Sequence, residues 1–360
     1  MIRILQVVNI MDRAGIENVL MNYYRHIDKS QVQFDFLTHR VNDGAFDEEI
    51  KALGGKIYKA PRLYPQNYPA YFAYMKKFFK EHPEYQIVHS HIDAMSYLPL
   101  LAAKKAGIPI RISHSHNTNI DKDYRYILKQ CFRAGINSVA NLRKACSRDA
   151  GKYLFGKEEF QVIPNALDTS RFLYDSNVRC EVREELGITD KFVIGHVGRF
   201  TEQKNHAFII ELFEKVAIQR EDAVLVLVGN GELKESVQDK VREKGLEDRV
   251  FILENRSDIQ RIYQALDVFI FPSLYEGLGL VLVEAQISGL PCLVSVYVPE
   301  EAKISENMQF LELDVELWTE HIVNMKQDNE RQSVHTEYYD IHHATKELET
   351  MYMNLHKDLM

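Results

Sequence analysis

The chain has 360 residues, which is enough for about two domains with separate hydrophobic cores. Hydrophobic residues make up 46% of the chain and charged residues 27%, as is typical of a soluble globular protein. No apolar run reaches the roughly 18 residues that a membrane-spanning helix needs, so the sequence argues against a transmembrane protein.

Charge is distributed unevenly along the chain. Residues 1–175 contain 25 Lys and Arg against 18 Asp and Glu, a net charge of +7, whereas the remainder contains 19 against 34, a net charge of −15. The basic half predicts contact with an anionic surface such as a membrane. Nucleic acid is not the expected partner, because no recognition helix, zinc pattern or RNA-binding signature is present. The four cysteines lack C-x-x-C spacing, which predicts free thiols in a reducing cytoplasm.

The first predicted element is an apolar strand at residues 2–8, followed by a loop that ends at Gly15 and by a helix. Residues 34–37 predict a second strand. Residues 61–80 then predict a helix with aromatic side chains near helical spacing and three lysines beside them. Such a helix either rests its aromatic side chains in a lipid interface or is an amphipathic core helix, and the pattern alone leaves both alternatives open.

Histidines lie at the ends of two further predicted strands. Residues 87–91 end in His89-Ser90-His91, and residues 108–113 run into His114-Ser115-His116-Asn117. These side chains suggest either a metal site or a polar pocket, and the pocket is favoured because no carboxylate or cysteine ligand accompanies them. Asp121 and Asp123 form a D-x-D pair, but they precede a basic, aromatic helix and are interpreted as its solvated start. No metal site is therefore predicted.

Residues 139–141 and 160–164 are predicted to be the last strands of the first domain. A polar segment follows, which places the boundary near Phe172 and predicts domains at residues 1–171 and 172–334. A charged helix at residues 335–360 ends the chain.

The second domain opens with a strand at residues 192–196 and a loop that carries Arg199 and Lys204. A planar guanidinium and an ammonium five residues apart beyond a parallel strand suit a diphosphate. The next strand, residues 223–228, ends in Gly229-Asn230-Gly231. The dinucleotide fingerprint G-x-G-x-x-G is absent, which argues against a nicotinamide oxidoreductase.

A buried strand at residues 267–271 ends in Pro272-Ser273 and leads to the loop Glu276-Gly277-Leu278-Gly279. Residues 280–288 then predict a buried helix that carries Glu284. Loop glycines and a helix N-terminus at the carboxyl end of a parallel strand can receive an anion or a sugar. The two glutamates are expected to bracket one ligand.

These motifs together resemble glycosyltransferase family 4, most strongly its bacterial exopolysaccharide and capsule enzymes. The resemblance rests on Glu276 and Glu284 in E-x7-E, followed by Gly289-Leu290-Pro291, and on Gly198-Arg199 with Lys204. It implies the GT-B fold, with two Rossmann-like doubly wound parallel-sheet domains facing across a cleft. The first domain would bind the acceptor, the second would bind a nucleotide-sugar, and the helix at 335–360 would return to the first.

The resemblance also implies residue roles. Arg199, Lys204 and Gly15 would bind the donor diphosphate, Glu276 would orient the donor sugar, and either His116 or His114 would lie near that sugar. The remaining donor contacts would come from Glu284 at the ribose, Arg256 at the base, and Gly277, Leu278, Gly279 and Gly229. Ala14 and Ala166 depart from the family pattern, which usually has glycine at both positions.

The implied activity is metal-independent sugar transfer with retention of configuration. A UDP-sugar donor and a glycan or polyprenyl-diphosphate-linked acceptor are expected, with the protein in the cytoplasm or at the inner face of the plasma membrane. Alternatives are a GT-B sugar-nucleotide epimerase and an inactive glycan-binding relative.

Overall fold

A computed structural model describes residues 1–13, 15–117, 126–254, 256 and 258–359. The predictions made for Ala14, Asp121 and Asp123 lie outside these residues. The chain divides into unit 1, Met1–Asp168 with Glu337–Met360, and unit 2, Thr169–Thr336.

Unit 1 contains a parallel sheet. Its strands are β1 (Ile2–Val7), β2 (Val32–Thr38), β3 (Ile57–Lys59), β4 (Ile87–Ser90), β5 (Ile110–Ser115), β6 (Leu142–Ala145) and β7 (Gln161–Val162). Its helices up to this point are α1 (Gly15–His26), α2 (Asp47–Ala52), α3 (Tyr68–Glu81), α4 (Tyr97–Lys105), α5 (Tyr126–Val139) and α6 (Arg148–Phe155). Among the residues described for this unit, the seven strands have the order β3-β2-β1-β4-β5-β6-β7. Continuous apolar runs form such strands because helices cover both faces of a parallel sheet.

Unit 2 repeats this architecture. Its strands are β8 (Phe192–Val197), β9 (Ala223–Val228), β10 (Val250–Leu253), β11 (Val268–Phe271), β12 (Cys292–Ser295) and β13 (Met308–Leu311). Its helices are α7 (Ser176–Glu185), α8 (His206–Gln219), α9 (Lys234–Glu243), α10 (Ile259–Ala265), α11 (Leu280–Ile287) and α12 (Val315–Val323). The six strands found in the described part of unit 2 are parallel, in the order β10-β9-β8-β11-β12-β13. The two doubly wound parallel-sheet domains of the predicted fold are therefore present.

The last helix, α13 (Ile341–Lys357), belongs to unit 1. It buries Ile341, Leu348 and Tyr352, and the Tyr352 ring meets the edge of the Phe34 ring on β2 with centroids 5.9 Å apart. The bridge between Leu167 and Asp340 brings the start of this helix to the end of the first stretch of unit 1. No helix within the described ranges is long and apolar enough to cross a bilayer.

The structure corrects the prediction for residues 139–141 and decides between the two alternatives for the helix at residues 61–80. Residues 139–141 are not a strand, because Val139 is the last residue of α5 and the strand, β6, begins at Leu142. Val139 closes an amphipathic helix, and Ala140 and Asn141 connect that helix to β6. On α3 the side chains of Tyr71, Phe78 and Phe79 are buried in the core of unit 1, and Phe72 is partly buried against it. The core-helix alternative therefore describes α3, because most of its aromatic stripe packs on the core of unit 1.

Candidate functional site

The strand order of unit 2 changes direction between β8 and β11. Strands β9 and β10 follow on one side of β8, and β12 and β13 follow on the far side of β11. In open parallel sheets, ligands bind beyond the carboxyl ends of the strands at such a switch point. The loop after β8 carries Arg199 and Lys204, and the loop after β11 carries Glu276. The fold therefore brings three predicted donor residues to one edge of one sheet.

The loops after β8 and β11 are joined to each other. Lys204 Nζ donates to Glu276 Oε1 in an ion pair whose side chains are 15% and 8% exposed. Leu274 N donates to the carbonyl oxygen of Gln203 at 2.9 Å, and the Gln203 amide donates to Tyr275 O at 2.8 Å. Solvent screens a pair of this burial less than a surface pair. The sequence predicted that Lys204 and Glu276 bind a donor, but it did not predict that they bind each other.

The loop after β9 supports the same site from the other side. Gly229 has φ of +149°, and a Cβ atom there would lie 2.1 Å from the carbonyl oxygen of Gly198. Phe200 N donates to Asn230 O at 3.0 Å. Only glycine allows the two backbones to approach this closely. Gly229 therefore shapes the loop that carries Arg199.

The two candidate arginines differ in position. Arg199 is exposed and, within the part of the chain that the structure describes, makes no ion pair, so its guanidinium can receive a diphosphate. Arg256 follows β10, two strands away from β8, and donates to Asp258 Oδ2 at 2.6 Å. The structure does not bring Arg256 into contact with the Lys204–Glu276 pair.

Glu284 lies on α11 and is partly buried. Its Oε2 accepts a hydrogen bond of 2.9 Å from the Tyr263 hydroxyl, which belongs to α10. Burial raises the pKa of Glu284 to about 7, although the Tyr263 hydrogen bond and the charge of Arg171 oppose this shift. A carboxylate with this pKa changes its ionisation near neutral pH.

The start of α11 provides backbone groups. Gly279 precedes the helix with φ of +74°, a conformation that favours glycine. Leu278 is 5% exposed, so its side chain is a core residue and only its backbone can face a ligand. Gly277 is partly exposed beside Glu276. Backbone N–H groups in the first turn of a helix suit an anion, so the start of α11 is a candidate position for one.

In unit 1 the switch point lies between β1 and β4. Gly15 is exposed and begins α1, the helix that follows β1. His114 lies inside β5, not beyond its end, and His116 follows that strand; both are buried. Asp93 has φ of +45°, and its carboxylate accepts from His116 N at 2.8 Å. A strained backbone at such a place often marks a functional site, and here Asp93 holds the segment that carries His116.

Three of the strand-end histidines lie close enough to hold a metal. Nitrogen atoms of His89, His91 and His114 are within 4.8 Å of one another. However, the rings of His89 and His114 are nearly parallel, with 12° between their planes, and His89 Nε2 and His114 Nδ1 already share a hydrogen bond of 3.1 Å. Metal ligands need their lone pairs to converge on one point. This arrangement favours hydrogen bonding over metal coordination.

Motif reasoning missed some residues that contact the candidates. Tyr263 belongs to no motif, and its role depends on a contact that only the fold creates. Gln6 is fully buried on β1. A polar residue inside an apolar strand indicates a buried group that needs hydrogen-bond partners, so the sequence did contain a signal for Gln6.

Comparisons with known proteins show which family the chain belongs to. Residues 13–171 match a family model described as Glycosyltransferase Family 4, and residues 178–332 match one described as Glycosyl transferases group 1. EpsF of Bacillus subtilis (strain 168), assigned as a glycosyltransferase, is 38% identical over 308 residues, which cover 83% of this chain and 80% of EpsF. The Escherichia coli enzyme named UDP-Gal:alpha-D-GlcNAc-diphosphoundecaprenol alpha-1,3-galactosyltransferase is 33% identical over 226 residues, or 59% of this chain and 58% of that enzyme.

The fold is also found among solved structures. Anabaena Alr3699/HepE, in complex with UDP and glucose, superposes with a TM-score of 0.78 at 18% identity, covering 98% of this chain and all of that one. At this identity the similarity establishes the fold alone.

Proposed function

Because the chain belongs to glycosyltransferase family 4, we propose that it transfers a sugar from a UDP-sugar to a glycan or polyprenyl-diphosphate-linked acceptor, with retention of configuration. The observation that carries this proposal is the placement of Arg199, Lys204 and Glu276 at the switch point of unit 2. The E. coli relative is named for a UDP-galactose donor and a diphosphoundecaprenol-linked acceptor, which supports both parts. A role in exopolysaccharide or capsule biosynthesis is supported by a Staphylococcus aureus relative, CapH, which is named for capsular polysaccharide biosynthesis.

The leaving group of such a transfer is a nucleoside diphosphate that gains negative charge as the glycosidic bond breaks. Arg199 and Lys204 stabilise that charge where it develops, together with backbone amides at the start of α11. In the structure Lys204 is neutralised by Glu276. A donor diphosphate would take Lys204 from Glu276 and leave the Glu276 carboxylate to accept hydrogen bonds from the sugar hydroxyls. Binding of the donor diphosphate would thus also free Glu276 to bind the donor sugar.

We also propose that no divalent ion takes part, since two cationic side chains can neutralise the diphosphate. Glu276 starts as the partner of a cation, which suits an orienting role better than attack on the sugar. Attack by the acceptor on the face that the diphosphate leaves, with the departing phosphate as base, gives retention without a covalent intermediate.

The acceptor would bind unit 1. The net charge of +7 over residues 1–175 suits an anionic diphosphate lipid and the cytoplasmic surface of a membrane that contains it. Either His116 or His114 is the polar group of this unit that we assign to a sugar hydroxyl.

A transfer assay tests the proposal. The protein is incubated with UDP-glucose, UDP-galactose, UDP-N-acetylglucosamine or GDP-mannose and a synthetic polyprenyl-diphosphate sugar, with and without EDTA. We expect an elongated lipid-linked product from a UDP-sugar, formed equally in EDTA, whose new linkage has the α-configuration by NMR. Lys204→Met is the matched control and should yield no product.

Other outcomes would contradict the proposal. A new nucleotide-sugar formed without acceptor would indicate the epimerase alternative. Thermal stabilisation by glycans but by no nucleotide-sugar would indicate a glycan-binding protein.

A further inference from the structure

Four imidazole rings form a two-by-two array in unit 1. His89 lies in β4 and His91 directly follows that strand, and their ring centroids are 4.2 Å apart. His114 lies in β5 and His116 directly follows it, with the same distance between the ring centroids. Hydrogen bonds join the two rows, from His89 Nε2 to His114 Nδ1 at 3.1 Å and from His91 Nδ1 to His116 Nε2 at 2.9 Å. None of the four rings is more than 9% exposed. Burial lowers the pKa of all four, so each ring is neutral and has one N–H and one lone pair.

Gln6 connects the two hydrogen-bonded pairs. Its Oε1 lies 2.8 Å from His91 Nε2, and its Nε2 donates to the Tyr352 hydroxyl at 3.3 Å. The same hydroxyl lies 2.7 Å from His89 Nδ1. Gln6 comes from β1 and Tyr352 from α13, and both are buried. One network therefore links two strands and the last helix to all four rings.

The direction of each hydrogen bond in this network follows from Gln6. Its carbonyl oxygen can only accept, so His91 Nε2 carries the hydrogen and His91 Nδ1 accepts from His116 Nε2. The His116 Nδ1 atom is then left with a lone pair.

The second branch runs the other way. The Gln6 amide donates to the Tyr352 oxygen, so the Tyr352 hydrogen goes to His89 Nδ1 and His89 Nε2 donates to His114 Nδ1. The His114 Nε2 atom is then left with a hydrogen. His116 therefore ends its branch as an acceptor and His114 ends its branch as a donor. The two differ because one branch begins at the Gln6 oxygen, which accepts, and the other at the Gln6 nitrogen, which donates.

The His114 end opens onto a small cavity. Its Nε2 atom has no hydrogen-bond partner among the described residues, and the same holds for Asn165 Oδ1. Both residues line one cavity of about 20 Å³, which can hold a single water. A water there would accept from His114 and donate to Asn165, so the donor at this end does not stay unpaired.

We propose that Gln6 and Tyr352 are positioning residues that make His116 Nδ1 a hydrogen-bond acceptor and His114 Nε2 a donor. Under the proposed function, on which this consequence rests, His116 accepts a hydrogen bond from a hydroxyl of a sugar substrate. Gln6 and Tyr352 act through the histidines and touch no substrate themselves.

Histidine NMR tests the network without any substrate. Long-range ¹⁵N–¹H spectra of protein labelled at histidine distinguish the two tautomers, and His→Gln variants assign the signals. We expect all four rings to be fixed as the Nε2–H tautomer. In Tyr352→Phe, His89 and His114 should lose their fixed tautomer, while His91 and His116 keep theirs.

Tyr23→Phe is the matched control. The Tyr23 hydroxyl donates to Pro164 O at 2.8 Å and its ring lines the same cavity, but it lies outside the network. This variant loses one buried hydrogen bond and should leave all four tautomers unchanged. Mixed tautomers, averaged signals or a uniform Nδ1–H state in the wild type would overturn the proposal, as would equal effects of Tyr352→Phe and Tyr23→Phe.

Activity separates this proposal from the proposed function. In the transfer assay, Gln6→Met should lower kcat about tenfold, the size of one lost hydrogen bond, at unchanged donor KM, because the tautomer of His116 is then no longer fixed. Tyr352→Phe and Tyr23→Phe both leave His116 fixed and should stay near wild type, whereas unchanged turnover in Gln6→Met would overturn the catalytic part. Fixed tautomers in a protein that transfers no sugar would refute the proposed function and leave the network intact.

Discussion

Nucleotide binding should depend on pH through Glu284. Its carboxylate is proposed to accept hydrogen bonds from the donor ribose, which only the ionised form can do fully. Burial holds the pKa of this group at about 7 in the free protein. If only the ionised form binds, the apparent Kd rises by the reciprocal of the ionised fraction. That factor is about 11 at pH 6, about 2 at pH 7 and about 1.1 at pH 8, so affinity should fall about tenfold from pH 8 to pH 6.

Tyr263→Phe makes the test specific. The Tyr263 hydroxyl donates to Glu284 Oε2, and this hydrogen bond favours the ionised carboxylate. Its removal raises the pKa of Glu284 further, so binding at pH 7 should weaken and the midpoint of the pH profile should move upward. Affinity should recover in alkaline buffer, which a merely unfolded site would not do.

Calorimetry with UDP-glucose provides the measurement, because its diphosphate does not titrate between pH 6 and pH 9. Glu284→Gln serves as the control and should bind weakly with little dependence on pH. The reasoning would be refuted by wild-type affinity that is constant from pH 6 to pH 8. It would also be refuted if Glu284→Gln kept the wild-type profile.

Three further predictions have defined outcomes. Lys204→Met and Arg199→Ala should each lower transfer about 100-fold or more with the fold intact by circular dichroism, and near-normal turnover would remove the diphosphate assignment. Burial lowers the pKa of His116 to about 3, below about 6.5 in the unfolded chain, so its contribution to stability is complete above pH 6.5 and is lost as the pH falls. In denaturant titrations, the free energy of unfolding of unit 1 should therefore fall by about 1.4 kcal/mol from pH 7.5 to pH 5.5 because of this residue. His116→Asn should make that fall smaller. Gly229→Ala should lower the melting temperature more than Gly187→Ala, because both have positive φ but only Gly229 would clash with a neighbouring backbone; equal shifts would contradict the close approach.

The sheets were predictable because their strands are continuous apolar runs. The run at residues 223–228 is β9 in full, and the stretch that ends in Phe271 is β11. Glycine follows the first of these strands and proline the second, which is why the sequence alone predicts the loop with Glu276. The GT-B architecture followed from this pattern together with the family motifs.

Contacts between distant residues were not predictable in the same way. Gln6 and Tyr352 are separated by 346 positions, and nothing in either local pattern indicates that they meet. The Lys204–Glu276 pair depends on β8 and β11 being neighbours, which reverses the chain order at the switch point. The sequence left the role of α3 open for a different reason, since aromatic residues at helical spacing suit a core and a lipid surface equally well.

The central claim is that Arg199, Lys204, Glu276 and Glu284 serve one nucleotide-sugar. Diffraction from crystals soaked with UDP-glucose tests it most directly. We expect the diphosphate within hydrogen-bond distance of Arg199 and Lys204, the ribose on Glu284, and Lys204 released from Glu276. A nucleotide bound elsewhere, with the Lys204–Glu276 pair unbroken, would contradict the claim.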